Sequence, residues 1–109
     1  MERTVDLGAY LKSLCRDIAA FQEMRTPNVR LTCEAASVHV GFETATSVGV
    51  VVNELVSNSY EHAFSGKGGN IAVTLDPPKK GCALLAIRDD GMGLLKPISG
   101  STGLGLANE

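Results

Sequence analysis

A chain of 109 residues fits one domain with a real hydrophobic core and leaves no room for two. Its 44% apolar and 20% charged residues are those of an ordered globular protein, and a net charge of −2 with scattered Lys and Arg gives no general attraction to nucleic acid. No apolar run approaches the ~18 residues that span a bilayer, and Met1-Glu2-Arg3-Thr4-Val5-Asp6 lacks the basic-then-apolar layout of a secretory signal. The expected location is therefore cytoplasmic, with no direct membrane contact from this segment.

From Val5 to Met24 the residues Leu7, Leu11, Leu14, Cys15, Ile18, Ala19 and Phe21 recur at threes and fours, which predicts an amphipathic helix with Lys12, Arg16 and Gln22 outside. Asp6 is a candidate cap. Thr26-Pro27-Asn28 breaks the pattern, after which Val29 to Glu34 alternates as a strand with Val29, Leu31 and Cys33 on one face. A short strand is expected at Val38-His39-Val40, turning at Gly41, with His39 as a strand residue of no chemical role.

Thr44 to Phe64 reads as a long helix whose stripe of Val48, Val51, Val52, Leu55, Ser59 and Ala63 should pack on a sheet. A loop follows over Ser65-Gly66-Lys67-Gly68-Gly69. Ile71, Val73 and Leu75 then alternate as a strand, Pro77-Pro78-Lys79-Lys80-Gly81 turns the chain, and Cys82 to Arg88 is apolar on both parities, as in a central strand. Gly91 to Gly103 holds four glycines, a proline and two serines, which predicts a loop, and Gly103 to Asn108 reads as the opening of a helix. Cys15, Cys33 and Cys82 show no metal-ligand or C-x-x-C spacing and are expected to be reduced, mostly buried small hydrophobes.

Three stretches carry chemistry. On the long helix Glu54, Asn58 and Glu61 lie at spacings of four and three, with His62 one turn after Asn58. An amide oxygen and a carboxylate one turn apart can bind a hard cation such as magnesium or orient a water toward a phosphate. Taken alone, that stripe is better explained as a solvated helix face.

Asp89 shares strand parity with Ala83, Leu85 and Ile87, so its carboxylate should point toward the helix layer, where a buried acid needs a partner. An exocyclic amine of adenine would be one, and Gly91 and Gly93 would let the backbone approach a planar ligand; an ordinary Asp-Gly turn is the competing explanation. Thr102-Gly103-Leu104-Gly105-Leu106 places small residues where a helix is expected to begin, leaving N–H groups for a phosphate, or else serves packing alone. It is neither a Walker loop nor a Rossmann fingerprint.

In order and spacing, the N-E-L-V-S-N-S-Y-E-H-A-F helix, the D-D-G-M-G strand end and the T-G-L-G-L segment resemble the ATP-binding catalytic domain of sensor histidine kinases, of the superfamily shared by gyrase, heat-shock chaperones and mismatch-repair ATPases. The likeness covers nearly the whole chain and extends to the subfamily whose helix reads G-L-I-V-N-E-L-V-T-N-A-L-K-H-A-F. It implies a two-layer α/β sandwich of α+β class, a mixed sheet with helices on one face, over a single domain of residues 1–109. It also implies that the family's last helix and strand, and the dimerisation and phosphoacceptor domain, lie outside this sequence.

By this resemblance Asn58 holds the Mg2+ that bridges the ATP phosphates, Glu54 helps polarise the attacking group, and His62 lies beside the phosphates. Asp89 accepts the adenine amine, Gly91 and Gly93 shape the base pocket, and Thr102, Gly103, Leu104 and Gly105 line the phosphates at the end of a lid from Leu94 to Thr102. Glu61 stands where many relatives carry Lys. The implied activity is transfer of the ATP γ-phosphoryl group to a histidine on a separate helical domain, within two-component signalling, with a response regulator downstream and no nucleic-acid partner. The chain itself would be cytoplasmic, either free or as the cytoplasmic part of a membrane-anchored receptor. The alternatives are a degenerate, non-catalytic phosphotransfer or protein-binding module of the same fold, and an anti-sigma-factor serine kinase.

Overall fold

A computed structural model describes residues 3–62 and 68–89, together with the backbone of 98–99 and 105–106; of residue 62 it describes the backbone alone. Strand β1 (Thr4–Asp6) leads into helix α1 (Leu7–Glu23), followed by β2 (Val29–Ala35), β3 (His39–Gly41), helix α2 (Phe42–His62), β4 (Gly69–Leu75), β5 (Leu84–Asp89), β6 (Ile98–Ser99) and β7 (Gly105–Leu106). The main sheet has the order β2-β4-β5-β6-β7, with β2 and β4 parallel and the other pairs antiparallel, while β1 and β3 form a separate antiparallel pair. This is the mixed sheet and α+β class that the sequence implied.

The one-sided burial of the sheet follows from its register. Leu31, Ile71 and Asp89 lie in one row across β2, β4 and β5, Cys33, Val73 and Ile87 in the next, and Ala35, Leu75 and Leu85 in the third. Strand side chains alternate between faces, so these rows share one face. They join Leu7, Leu11, Cys15 and Ile18 of α1 and Ala45, Val48, Val52, Val56 and Tyr60 of α2 in a single core. On the opposite parity Arg30, Thr32, Glu34, Leu84 and Arg88 are exposed.

α1 begins where the sequence placed its cap. The Asp6 side chain accepts from the Ala9 backbone N–H, the Ser37 hydroxyl donates to Asp6 Oδ2 at 2.9 Å, and the Leu7 N–H donates to the Val38 carbonyl at 2.7 Å. One carboxylate thus joins the helix start to the loop before β3. Val5 belongs to β1 rather than to the helix, because its backbone pairs with Val40.

Phase at the other end of α1 departs from the expected stripe. Gln22 is buried and Phe21 is 65% exposed, with the Arg25 guanidinium 5.8 Å from its ring centroid. The series Leu11, Cys15, Ile18, Gln22 continues the buried face by three- and four-residue steps, leaving Phe21 off it. The Gln22 carbonyl accepts from the backbone N–H groups of Arg25 and Thr26 and from the Thr26 hydroxyl, which closes the helix just before Pro27.

β2 and β4 are parallel, so the chain must cross back over the sheet between them, and α2 supplies that crossing. Its buried stripe of Ala45, Val48, Val52, Val56, Ser59 and Tyr60 includes Val56 and Tyr60, which the expected stripe lacked; Val51 and Leu55 are half-buried at its edge. Ala63 and Phe64 lie outside the described residues. The β4–β5 turn falls within the predicted segment: Lys79 and Cys82 exchange two backbone hydrogen bonds around Lys80 (φ 53°) and Gly81 (φ 81°), two left-handed residues as a tight hairpin turn requires.

The helix expected from Gly103 to Asn108 is not formed at its described residues. Gly105 and Leu106 make β7, pairing with Ser99 and Ile98. Alternating glycine and leucine has the period of a strand, and glycine is among the poorest helix residues, so pairing outweighs the helical reading. The cysteines divide by position. Cys15 is buried, Cys33 half-buried and Cys82 exposed, which corrects the expectation for Cys82. Cys15 and Cys33 meet between α1 and β2 in a thiol hydrogen bond that, together with burial, pushes Cys15 up; the same hydrogen bond draws Cys33 below the usual thiol value against the opposing effect of burial.

Two outcomes follow from the α1 anchorage. A Cβ at Gly8 would collide with the Ala36 backbone carbonyl, so Gly8→Ala should cost roughly 1–3 kcal/mol in denaturant unfolding. The Ser37 hydroxyl and the Ala9 N–H hold the Asp6 carboxyl below its ordinary value of 3.8. A folded value below the unfolded one gives stability that is present above the ordinary value and lost as pH falls through the folded one. Asp6→Asn, which keeps one capping oxygen but loses the ionised acceptor, should lower the melting temperature modestly at neutral pH and flatten its fall below about pH 4.

Candidate functional site

The described site residues gather where the end of β5 meets the C-terminal half of α2. Asp89 is the last residue of β5, only 2% exposed, and lies opposite Ile71 of β4. Its parity with Leu85 and Ile87 turns the carboxylate toward the helices, as its sequence position predicted. There the Ser59 hydroxyl of α2 donates to Asp89 Oδ2 at 3.0 Å. Burying a carboxylate without a partner costs several kcal/mol, so this contact is part of what makes the position tenable.

Ser59 is the functional candidate that sequence reasoning missed, since it was assigned to the core stripe of α2. The available signal was a hydroxyl among the valines of that stripe. Its neighbour Tyr60 is also buried, and desolvation pushes its phenol up. Tyr60 faces a cavity of about 470 Å³ between α1 and the start of β2 that is not lined by Glu54, Asn58 or Asp89.

Glu54 and Asn58 are exposed, one turn apart on α2, and Glu61 continues that face. α2 therefore presents two chemistries: its buried side meets Asp89 through Ser59, and the side carrying Glu54 and Asn58 is exposed. His62 is the last residue of α2. Gly91, Gly93, Thr102, Gly103 and Leu104 lie outside the described residues, as does most of the Leu94–Thr102 segment, while Gly105 lies in β7 and not at a helix N-terminus. Gly105 pairs with Ser99, so no helix dipole acts at that glycine.

Among the described residues no group of three or more His, Cys, Asp or Glu side chains could hold a metal ion. The donors that do occur, an exposed amide and a carboxylate one turn apart, fit a hard cation that takes most of its oxygen ligands from phosphates and water, as magnesium does. They do not fit a soft or structural metal site.

No family model matches the sequence. The chain is 28% identical over 94 residues to the blue-light-activated histidine kinase 2 of Erythrobacter litoralis (strain HTCC2594), an alignment that takes in 85% of this chain and 27% of that protein. The histidine kinase domain of the Erythrobacter litoralis EL346 blue-light-activated histidine kinase superposes with a TM-score of 0.73 at 27% identity, over 80% of this chain and 40% of that one. The histidine kinase ThkA, in a crystal structure of its complex with the response regulator protein TrrA, superposes with a TM-score of 0.56 at 18% identity, over 81% of this chain and 25% of that one. The last is a likeness of fold. The chain spans less than half the length of each of these proteins.

The different burial of the site residues sets different stability costs. Glu54→Ala and Asn58→Ala, at exposed positions, should each stay within about 0.5 kcal/mol of wild type in denaturant unfolding. Asp89→Ala leaves the buried Ser59 hydroxyl without this acceptor and should cost on the order of 1–3 kcal/mol.

Proposed function

We propose that this chain, a relative of histidine-kinase catalytic domains in sequence and in fold, is the ATP-binding domain of a two-component sensor histidine kinase. The observation that carries the reading is the buried Asp89 at the end of β5, held against α2, beside a helix face bearing exposed Glu54 and Asn58. That juxtaposition suits a nucleotide whose base is read by a buried acid and whose phosphates reach a polar helix face.

In this reading Asp89 accepts the amine of adenine, and Gly91 and Gly93 let the backbone approach the base. Asn58 contributes an oxygen to Mg2+, which neutralises phosphate charge when bound, and His62 lies beside the phosphates. Thr102, Gly103 and Leu104 border the phosphates, with backbone N–H groups as donors. Glu54 helps polarise the attacking histidine. In the reaction a histidine nitrogen on a separate helical domain forms a bond to the γ-phosphorus, the bond to the bridging oxygen breaks, and ADP leaves. Catalysis of this kind is mainly positioning and charge stabilisation. Glu61 places a carboxylate where many relatives carry Lys, so less positive charge faces the phosphates. A response regulator is the proposed downstream partner, supported by the ThkA–TrrA complex.

Calorimetric titration with Mg-ADP and a non-hydrolysable Mg-ATP analogue tests the reading. Both should bind, and Asp89→Asn, which presents an amide to the adenine amine, should weaken binding by about 10- to 100-fold with the fold retained. Chelating magnesium, or Asn58→Ala, should weaken the triphosphate analogue most. A well-folded wild-type chain that binds neither nucleotide would instead support a non-catalytic module of this fold.

A further inference from the structure

Gln22, Ser59 and Asp89 are the buried polar side chains among the described residues, and Ser59 and Asp89 are bonded to each other. A serine within a helix can point its hydroxyl to solvent or turn it back to the carbonyl one turn earlier. Ser59 instead commits its only proton to a carboxylate 30 residues along the chain. It stands, moreover, where the resembling subfamily helix carries alanine, N-A in place of Asn58-Ser59, so the hydroxyl belongs to this chain and not to that motif.

A carboxylate rotates easily about its last torsion, where the energy wells are broad. An oxygen held at 3.0 Å by a hydroxyl on a rigid helix restricts that freedom and with it biases the direction of the second oxygen. Asp89 is enclosed as well, at 2% exposure, so water is poorly placed to take over the role of Ser59. The orientation of this acid is therefore set from α2 and not only by its own strand.

We propose that Ser59 is a positioning residue that clamps the Asp89 carboxylate and thereby sets selectivity for a 6-amino purine over a 6-oxo purine. This rests on the nucleotide reading above. A 6-amino purine offers the fixed carboxylate an N–H. A 6-oxo purine presents oxygen lone pairs to it, and a clamped carboxylate cannot turn away. Released from Ser59, the acid should lose alignment with the amine and tolerate the oxo group better.

The test compares dissociation constants of Mg-ADP and Mg-inosine diphosphate, which differ in the group at that ring position, for wild type, Asp89→Asn and three Ser59 variants. Ser59→Ala should weaken Mg-ADP on the order of tenfold and leave Mg-inosine diphosphate unchanged or slightly tighter, so that the preference collapses. Ser59→Thr keeps the hydroxyl and should keep the preference. Ser59→Cys, nearly isosteric with a weaker donor, should fall between and serves if Ser59→Ala does not fold. Circular dichroism and melting temperature check each variant.

If Ser59→Ala or Ser59→Cys keeps the wild-type preference while Asp89→Asn abolishes it, the inference is wrong and the nucleotide reading stands. Equal weakening of both nucleotides would make Ser59 a packing residue and also overturn it. A folded wild type that binds neither nucleotide, or a preference that survives Asp89→Asn, would overturn the nucleotide reading itself, and the role of Ser59 with it.

Discussion

The parallel pairing of β2 with β4 is the constraint from which the rest of this domain follows. Parallel neighbours cannot be joined by a tight turn, so the chain between them must cross the sheet, and here it crosses as the 21-residue helix α2. That crossing lays the C-terminal half of α2 against the end of β5. Were β2 and β4 a hairpin, Ser59 and Asp89 would have no common place, and neither would the polar face one residue away.

The same crossing explains why one helix can serve both stability and chemistry. Valines and Ser59 on its buried side close the core over Ile71, Val73 and Ile87, while Glu54 and Asn58 remain in water on the same turns. Helical periodicity separates the two sets, so the exposed polar pair can change chemically without entering the core. α1 completes the layer. It is anchored at Asp6 and approaches the end of β2 so closely at Gly8 that a side chain has no space there.

Asp89 is the costly element in an otherwise apolar interior. Its row holds Leu31 and Ile71, and only the replacement of Asp89 and Ser59 together by apolar residues would remove the polar groups from this wall without orphaning one of them. A buried carboxylate supported by a dedicated hydroxyl favours recognition over stability, because a fixed acceptor within an apolar wall discriminates strongly among ligand edges. The conflict between local packing and local chemistry sits at the proposed base-binding position, where function is expected to override packing.

Much of this was legible in the residues themselves. Periodicity determined both long helices and the strands β2 and β4, a continuous apolar run marked β5, Asp6 announced the start of α1, and parity alone turned Asp89 inward, because each depends on neighbours close in sequence. The phase of Phe21 and Gln22 was not legible, since threes and fours admit either residue until a sheet selects one. Nor was strand β1, whose pairing with β3 depends on residues more than thirty positions away, or strand β7, where pairing with Ile98 and Ser99 outweighed a helical reading of Gly105 and Leu106. Ser59 shows the difference most clearly: its sequence position marks it as core, and only the packing of α2 on β5 gives its hydroxyl a carboxylate to hold. Local propensity and pattern are written residue by residue, whereas a hydrogen bond between positions 59 and 89 exists only once the sheet has brought them together.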